Sequence, residues 1–510
     1  MAREIELKLS LPRRSVSALR RHPLLAASAQ LGRAVTLDNV YHDTPDLALR
    51  KAGVALRIRV AGRRRLQTVK AASASTAGLT SRPEWEQPWS GAFDFSEVDD
   101  AHIRALLERH AAALVPVFST RFRRTTYRYA PSADIEILLM IDSGEIVAGE
   151  QRQPLCELEL ELVHGDPLDL VQLAARLAED LPLLPDDRSK AERGYRLHSG
   201  KPPRPMRAEA STITPDMDPL QAFRALAFSC LRQWQANAAG ALDHQGPEFI
   251  HQLRVSQRRL RSLMRIFRAV LPEEFAADWS VRLKNNAERF GEARDLDVLD
   301  EELLAPVATW SPGDAARLQR LRGTVADARR QARAQAERAL DAAEQGRLVL
   351  ALAEALMCLT GNDLIDSVDL RGFAALQLER LRRRARRRHR AALDRVPAHL
   401  HALRIAFKQL RYGVEFFAPL LPRKAVRDYV GALTRTQNAL GFIHDVDIAR
   451  GRFEVWAMAN AQLDAAAAYV CGWHGPRYGA LTETALHDSR ALLAARKVPW
   501  TKLRRSRGAT

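Results

Sequence analysis

Apolar and polar residues alternate with a period of two in seven segments of the first 200 residues: 3–9, 54–60, 65–70, 83–89, 121–129, 134–141 and 155–163. Such alternation puts successive side chains on opposite faces of a strand. Several short strands with turn residues between them predict a sheet or barrel. Helical spacing is sparse here, with 101–114 and 167–181 the expected helices. Lys201-Pro-Pro-Arg-Pro205 then reads as a stiff linker, because proline at this density continues neither a helix nor a central strand. From 218 onward Ala, Leu and Arg recur at helical spacing and the strand pattern is gone. The expected division is a strand-rich domain at 1–200, a linker at 201–217 and a helical domain at 218–510.

The helical part repeats itself. His251-Gln-Leu-Arg-Val-Ser-Gln-Arg-Arg-Leu-Arg261 matches His401-Ala-Leu-Arg-Ile-Ala-Phe-Lys-Gln-Leu-Arg411, and Gly291-Glu-Ala-Arg-Asp-Leu-Asp297 matches Gly441-Phe-Ile-His-Asp-Val-Asp447. Both pairs keep one offset, so two similar helical bundles from an internal duplication are expected, with halves near 218–360 and 370–500.

Composition narrows the partner. The 510 residues are 46% apolar, enough for two to four domains with full cores, and the net charge is +17. A surplus of this size favours an anionic partner: nucleic acid, an anionic membrane or a polyanion. The four cysteines form no metal-type pair and fit buried thiols in a reducing compartment. No apolar run reaches membrane-spanning length and none resembles a signal peptide, so a cytoplasmic protein is expected.

The charges are patterned. Glu4, Glu6 and Lys8 alternate with Ile5, Leu7 and Leu9; Glu157, Glu159 and Glu161 form a matching run; Glu84 and Glu86 flank Trp85; and Asp142 sits near a strand end. Arg57 and Arg59 flank Ile58, Arg121 and Arg123 flank Phe122, and Lys70, Arg82, Lys190 and Arg193 add further cations. On an ordinary half-buried strand these faces would be solvated surface. Inside a closed barrel they would form a lumen of both signs, in which Arg and Lys grip a highly charged anion. Carboxylates there would repel that anion unless divalent cations bridge them, and Mg²⁺ is typically shared between a few carboxylates and substrate phosphates.

Glu4-Ile-Glu-Leu-Lys8 resembles the E-x-E-x-K signature of the CYTH family of triphosphate tunnel metalloenzymes. Tyr41-His-Asp-Thr-Pro45, Leu56-Arg-Ile-Arg59, Lys70, Arg82-Pro-Glu-Trp-Glu86, the 157–161 run and Lys190-Ala-Glu-Arg-Gly-Tyr195 extend the resemblance over about 1–200. It implies an α+β domain with an eight-stranded antiparallel β tunnel that acts on triphosphate groups. By this resemblance Glu4, Glu6, Glu157, Glu159 and either Asp142 or Glu161 would hold Mg²⁺, with Mn²⁺ as an alternative. Lys8, Arg57, Arg59, Arg82, Arg121, Arg123 and Lys190 would grip phosphates. Glu84 and Glu86 would be outer metal neighbours or partners of basic residues. Lys70, Lys8 and Tyr41 are the catalytic candidates: Lys70 for charge near the cleaved bond, Tyr41 as a position that pairs with the signature lysine in some relatives.

In the helical part, His251, Arg254, Arg258, Arg261, Arg265 and Arg268 follow steps of three and four, which puts them on one helix face. The second copy repeats this with His401, Arg404, Lys408 and Arg411. Like charges so spaced repel, and an anionic ligand would relieve the repulsion. These helices resemble the CHAD domain, which implies an all-α domain of two pseudo-symmetric four-helix bundles binding inorganic polyphosphate. Arg380–Arg390, with eight arginines in eleven residues, would extend that surface. The two histidines could bond phosphate or pack between helices. Asp295, Asp297, Asp445 and Asp447 would orient arginines or cap helices. The second copy has His444 where the first has Arg294, so equal strength of the two halves is not assured.

The expected function is metal-dependent hydrolysis of inorganic triphosphate, joined to polyphosphate binding and with or without association with polyphosphate granules. Adenylate cyclisation, thiamine triphosphate hydrolysis and a non-enzymatic polyphosphate-binding role are the alternatives. A membrane or nucleic-acid partner is not expected, and the oligomeric state is open.

Overall fold

A computed structural model describes residues 3–73, 75–244, 246–310, 315–360, 369–501 and 503. They form two compact units. One comprises Met1–Met206, Leu231–Gln252 and Leu340–Leu359; the other comprises Arg207–Cys230, Leu253–Ala339 and Thr360–Thr510.

The first unit is built on eight long strands: β1 (Arg3–Ser10), β2 (Val35–Asp43), β3 (Val54–Ala61), β4 (Arg64–Ala71), β5 (Leu79–Pro88), β6 (Val115–Ser132), β7 (Ile135–Ala148) and β8 (Gln151–His164). They close into an antiparallel barrel in the order β1-β8-β7-β6-β2-β3-β4-β5, with β5 returning to β1. All seven alternating segments fall on these strands, with Trp89 and Asp134 one residue beyond the ends of β5 and β7. The eighth, β2, has Leu37, Asn39, Tyr41 and Asp43 as its buried set. Two polar residues in that set hide its period.

Closure explains the composition of β1. Leu7 and Leu9 are fully buried, and so nearly are Glu6 and Lys8 on the opposite face. A half-buried strand would leave its charges in water; here the charged face looks into the barrel. The apolar face packs on the helix Pro167–Asp180. That helix starts at a capping box between Asp166 and Asp169 and buries Leu170, Leu173, Ala174 and Leu177 at helical spacing. Two-sided burial of β1 and β8 thus comes from a helix outside and the lumen inside.

The helix Ala342–Met357, expected in the helical domain, belongs to the barrel's unit and packs against Pro167–Asp180. Gly346 permits this: a Cβ there would lie 1.8 Å from the Leu183 carbonyl oxygen. Residues 231–252 group with the barrel too, so the compact half expected at 218–360 is divided. No helix or strand lies between Ser199 and Pro219, in keeping with the proline-rich run.

The offset of 150 persists in the order of the helices. A helix (Pro247–Ile266, then Pro397–Phe416) is followed by a 3₁₀ turn (Arg268–Val270, then Ala418–Leu420) and a helix after proline (Glu273–Glu288, then Arg423–Ala459). The copies differ in that the first breaks after Glu288 and restarts at Gly291, whereas the second runs unbroken for 37 residues. The equivalent residues Phe267 and Phe417 meet with ring centroids 5.5 Å apart, and Phe373 and Phe223 pack around them. The pseudo-symmetric copies therefore share one aromatic core.

Candidate functional site

The barrel encloses a cavity of about 830 Å³. β1 supplies Glu4, Glu6 and Lys8, and β8 supplies Glu159 and Glu161. Register sets Glu6 opposite Glu161 and Lys8 opposite Glu159. β3 supplies Arg57 and Arg59, β4 Lys70, β5 Arg82, and β6 Phe122 and Arg124. The helix Lys190–Ser199 contributes Lys190 and Tyr195. Ser189 caps that helix by accepting from the Glu192 amide.

The two signs are interleaved. Lys70 lies 2.7 Å from Glu4 and 2.8 Å from Glu84. Arg82 bridges Glu4 at 3.2 Å and Glu6 at 2.6 Å. Arg57 lies 3.7 Å from Glu84, and Arg59 donates to Asn39 at 3.0 Å with Glu86 at 3.8 Å. Glu84 and Glu86 are thus partners of basic residues. Burial and the neighbouring Arg57 and Arg124 bring Arg59 down to about 10. Lys8 sits 3.9 Å from Glu6 and reaches the Arg188 carbonyl oxygen at 3.5 Å.

Tyr41 pairs with Arg57, which donates to its hydroxyl at 3.5 Å, rather than with Lys8. Burial pushes its phenol up, but Arg57, Lys190 and Arg59 outweigh burial and hold it below the ordinary tyrosine value.

Arg121 and Arg123 do not reach the cavity. Both are exposed on the outer face, and Arg121 pairs with Asp38 at 3.3 Å. Phe122 is the inward residue, and the arginine that shares its face is Arg124. An alternating Arg-Phe-Arg on a half-buried strand puts the phenylalanine inside, so the pattern itself carried the correct parity. Arg124 donates to Asp142 at 2.6 Å and to Glu159 at 2.5 Å.

Asp142, Glu157 and Glu159 converge within 4.8 Å of one another, the geometry of a metal site. That centre already holds a cation. The Lys190 ammonium lies 2.8 Å from Asp142, 2.8 Å from Glu159 and against Glu157. Burial works against the charge, yet the three carboxylates keep the Lys190 pKa above the ordinary lysine value. Burial likewise pushes Glu159 up, but Lys190 and Arg124 more than offset it and hold it well below the usual carboxylate range. Asp142 and Glu157 do not line the cavity, and Arg193 reaches Glu157 at 3.3 Å. Lys190 thus pairs with all three carboxylates, and of the triad Glu159 lines the cavity together with Lys190.

Of the cavity carboxylates on β1, Glu4 is held by Lys70 and Arg82, and Glu6 by Arg82. Glu161 has no carboxylate-cation pair among the described residues, and burial with Glu4 and Glu6 nearby pushes it up to about 7. A hard divalent cation bound by these oxygen donors would relieve the repulsion that Glu161 meets from Glu4 and Glu6.

In the second unit, Arg258 donates to the Tyr412 hydroxyl at 3.2 Å, so the two repeat helices pack together through Arg258 and the second copy's tyrosine. Arg254 donates to the Ala287 carbonyl at 2.5 Å, and burial lowers its pKa. Burial and the neighbouring Arg258 and Arg404 bring Lys408 down to about 6. Burial lifts Asp445 to about 6. Arg261 and Arg411 are half-buried and Arg265 is exposed. His251, which groups with the first unit, is half-buried on its helix. His401 contacts His444 through Nδ1 atoms 3.0 Å apart, so one ring donates and the other accepts. Asp297 binds Arg329 and Arg333, and Asp447 accepts from Tyr478. Arg382 and Arg386 do not extend the surface: both donate to the Leu493 carbonyl at the end of the helix Asp464–Ala494, satisfying its last turn.

The CYTH domain profile matches residues 2–195 and the CHAD domain profile residues 225–454. The chain is a CYTH domain followed by a CHAD domain. An inorganic triphosphatase of Haemophilus influenzae is 33% identical over 202 residues, 39% of this chain and 56% of that protein; the chain thus spans about half the length of this curated relative. The crystal structure of the CHAD domain from the plant Ricinus communis aligns with 58% of this chain and 98% of its own at 29% identity and a TM-score of 0.49. HpAC1 of Hippeastrum, an adenylyl cyclase by name with a dominant triphosphatase activity, aligns with 39% of this chain and 96% of its own at 20% identity and a TM-score of 0.30. Among the described residues no helix is long and apolar enough to cross a membrane.

Proposed function

We infer that the CYTH cavity hydrolyses inorganic triphosphate to pyrophosphate and phosphate with a divalent metal ion, and that the CHAD helices bind polyphosphate. The observation that carries the first part is the cavity wall: the carboxylates of Glu4, Glu6 and Glu161 beside Arg57, Arg59, Arg82, Lys70 and Arg124. The named activity of the Haemophilus influenzae relative supports it.

Phosphoryl transfer needs positioning and neutralisation of the equatorial oxygens more than covalent help. Arg57, Arg59 and Arg82 present fork-shaped donors that suit adjacent phosphates. Tyr41, on the same wall, accepts a hydrogen bond from Arg57. Lys70, between Glu4 and Glu84, can swing toward the scissile group and offset charge on the leaving pyrophosphate. Glu4, Glu6 and Glu161 would hold the metal, Mg²⁺ or Mn²⁺, which when bound polarises phosphoryl oxygens and lowers the pKa of a coordinated water. Glu157 and Glu159, paired with Lys190, stand on the same strand as Glu161.

Support for the CHAD reading is the paired stripe, Arg254, Arg258, Arg261 and Arg265 with Arg404, Lys408 and Arg411, in which burial, then Arg258 and Arg404, depress Lys408. Phosphate release from triphosphate, pyrophosphate, ATP and thiamine triphosphate tests the substrate, with cyclic AMP scored from ATP. Release from triphosphate in excess of the others is expected. Cyclic AMP as the main product, or no release from any of the four, would overturn the reading.

A further inference from the structure

A second cavity of about 310 Å³ adjoins the tunnel. It lies wholly within the CYTH part and the start of the proline-rich run. Arg50 and Glu192 line both cavities, so the two share a wall. The remaining charged residues of the second cavity are Arg188, Arg193, Arg196, Lys201 and Arg204. With Arg50 that makes six cations against the single carboxylate of Glu192.

Some of these cations are already satisfied. Arg188 is bound by Asp186 at 2.8 Å and Asp243 at 3.0 Å. Arg193 holds Glu157 at 3.3 Å and the Pro154 carbonyl at 2.8 Å. Arg50 lies over the Tyr195 ring at 5.3 Å. Arg196, Lys201 and Arg204 have no carboxylate partner among the described residues. Arg196 is half-buried, and burial together with Arg188 and Arg193 lowers its pKa. Even with Asp186, Asp243 and Glu157 counted behind the wall, cations remain in excess. A concave pocket with a few convergent charged groups, at the lower end of the roughly 300–1,000 Å³ range of ligand sites, has the form of a binding site. Half-buried Arg196 and exposed Lys201 and Arg204 line it without a carboxylate partner among the described residues, and guanidinium and ammonium heads of this kind select a phosphate-type oxyanion.

We propose that this pocket is a diphosphate-binding subsite next to the tunnel, held by Arg196, Lys201 and Arg204 and linked to the tunnel through Arg50. It deepens the hydrolase reading and rests on it for its biological meaning. The diphosphate group has two sources: released pyrophosphate, or the far end of a linear chain longer than triphosphate whose near end is in the tunnel.

The test compares the full chain with its Arg196→Gln/Lys201→Gln/Arg204→Gln variant, none of whose altered side chains lines the tunnel. Calorimetric titration with pyrophosphate in chelator makes the readout independent of hydrolysis. The variant is expected to lose one site per chain relative to wild type; equal stoichiometry and affinity overturns the proposal. Two kinetic arms assign the source. A rise of about tenfold in KM for tetraphosphate with triphosphate unchanged, the loss of about one charge-assisted contact, marks the chain end. A similar rise in the inhibition constant of pyrophosphate, with tetraphosphate unchanged, marks the product. If wild type releases no phosphate from triphosphate, the hydrolase reading fails while the titration still decides the subsite.

Discussion

Replacing Lys190 by methionine tests whether this side chain is the resident cation of the acidic node. The substitution keeps an unbranched stem of similar length and removes only the ammonium. It leaves Asp142, fully buried, Glu157, 1% exposed, and Glu159, 6% exposed, with Arg124 and Arg193 as their cations. Breaking a buried pair by removing one partner costs roughly 3–5 kcal/mol. For a unit of this size each kcal/mol lowers Tm by roughly 2–4 °C, so a drop of roughly 6–20 °C follows. The chain has two compact units, so a single melting curve is not two-state. The barrel is best followed by hydrogen exchange in β7 and β8 as temperature rises. The pH dependence has a definite sign. Lys190 has a raised folded pKa, so its stabilisation is fully present below the unfolded lysine value and covers the ordinary pH range. Without it, burial holds Glu157 still further above its unfolded value. The folded variant then binds protons more tightly than the unfolded chain and gains stability as pH falls. The gap between wild type and variant should therefore narrow from pH 7 to pH 5. Adding Glu157→Gln should recover part of the loss. An unchanged barrel transition at pH 7, or a gap that widens at pH 5, would refute the electrostatic account.

Because Glu161 is pushed up to about 7, metal affinity should rise between pH 6 and pH 8, with proton release on binding near pH 6; calorimetry in buffers of different ionisation enthalpy measures both. Arg124→Gln should lower kcat/KM for triphosphate by roughly tenfold to a hundredfold, the scale of one or two charge-assisted contacts. Arg121→Gln/Arg123→Gln, on the outer face, should leave it within about twofold, and the reverse ranking would contradict the inward parity of Phe122. Lys408, down at about 6, is largely neutral at pH 8; polyphosphate should bind the CHAD helices more tightly at pH 6, with proton uptake, and Lys408→Met should flatten that dependence in a binding titration. Gly78 has φ of +80°, and a Cβ there would lie 2.4 Å from the Lys8 carbonyl oxygen. Gly78→Ala should displace β1 and lower both barrel stability and triphosphate turnover, checked by melting and by phosphate release.

Much of the fold was legible because its physics is local. A period of two marks seven of the eight barrel strands, and a shared offset marks the repeat whose equivalent phenylalanines, Phe267 and Phe417, now touch. What escaped depends on distance in sequence. Nothing near Glu157 announces that Lys190, more than thirty residues away, fills the centre of its acidic triad. An amphipathic helix does not tell which surface it covers, so Ala342–Met357 could not be assigned to the barrel. Arg382 and Arg386 looked like surface charge because a guanidinium that caps a distant helix end leaves no trace in spacing. The role of Arg124 was available, since an arginine pair around a single phenylalanine is an outward pair when that phenylalanine is buried.

The central claim is that Glu4 and Glu6 belong to a metal-dependent triphosphate-cleaving cavity. It is tested most directly by phosphate release from inorganic triphosphate with Mg²⁺ or Mn²⁺, comparing the full chain with its Glu4→Gln/Glu6→Gln variant. The account predicts equal amounts of phosphate and pyrophosphate from wild type, no release in chelator, and loss of activity by at least about a hundredfold in the variant, the scale of removing a charged group acting in the transition state. Activity in the variant equal to wild type, or hydrolysis that persists in chelator, would contradict it.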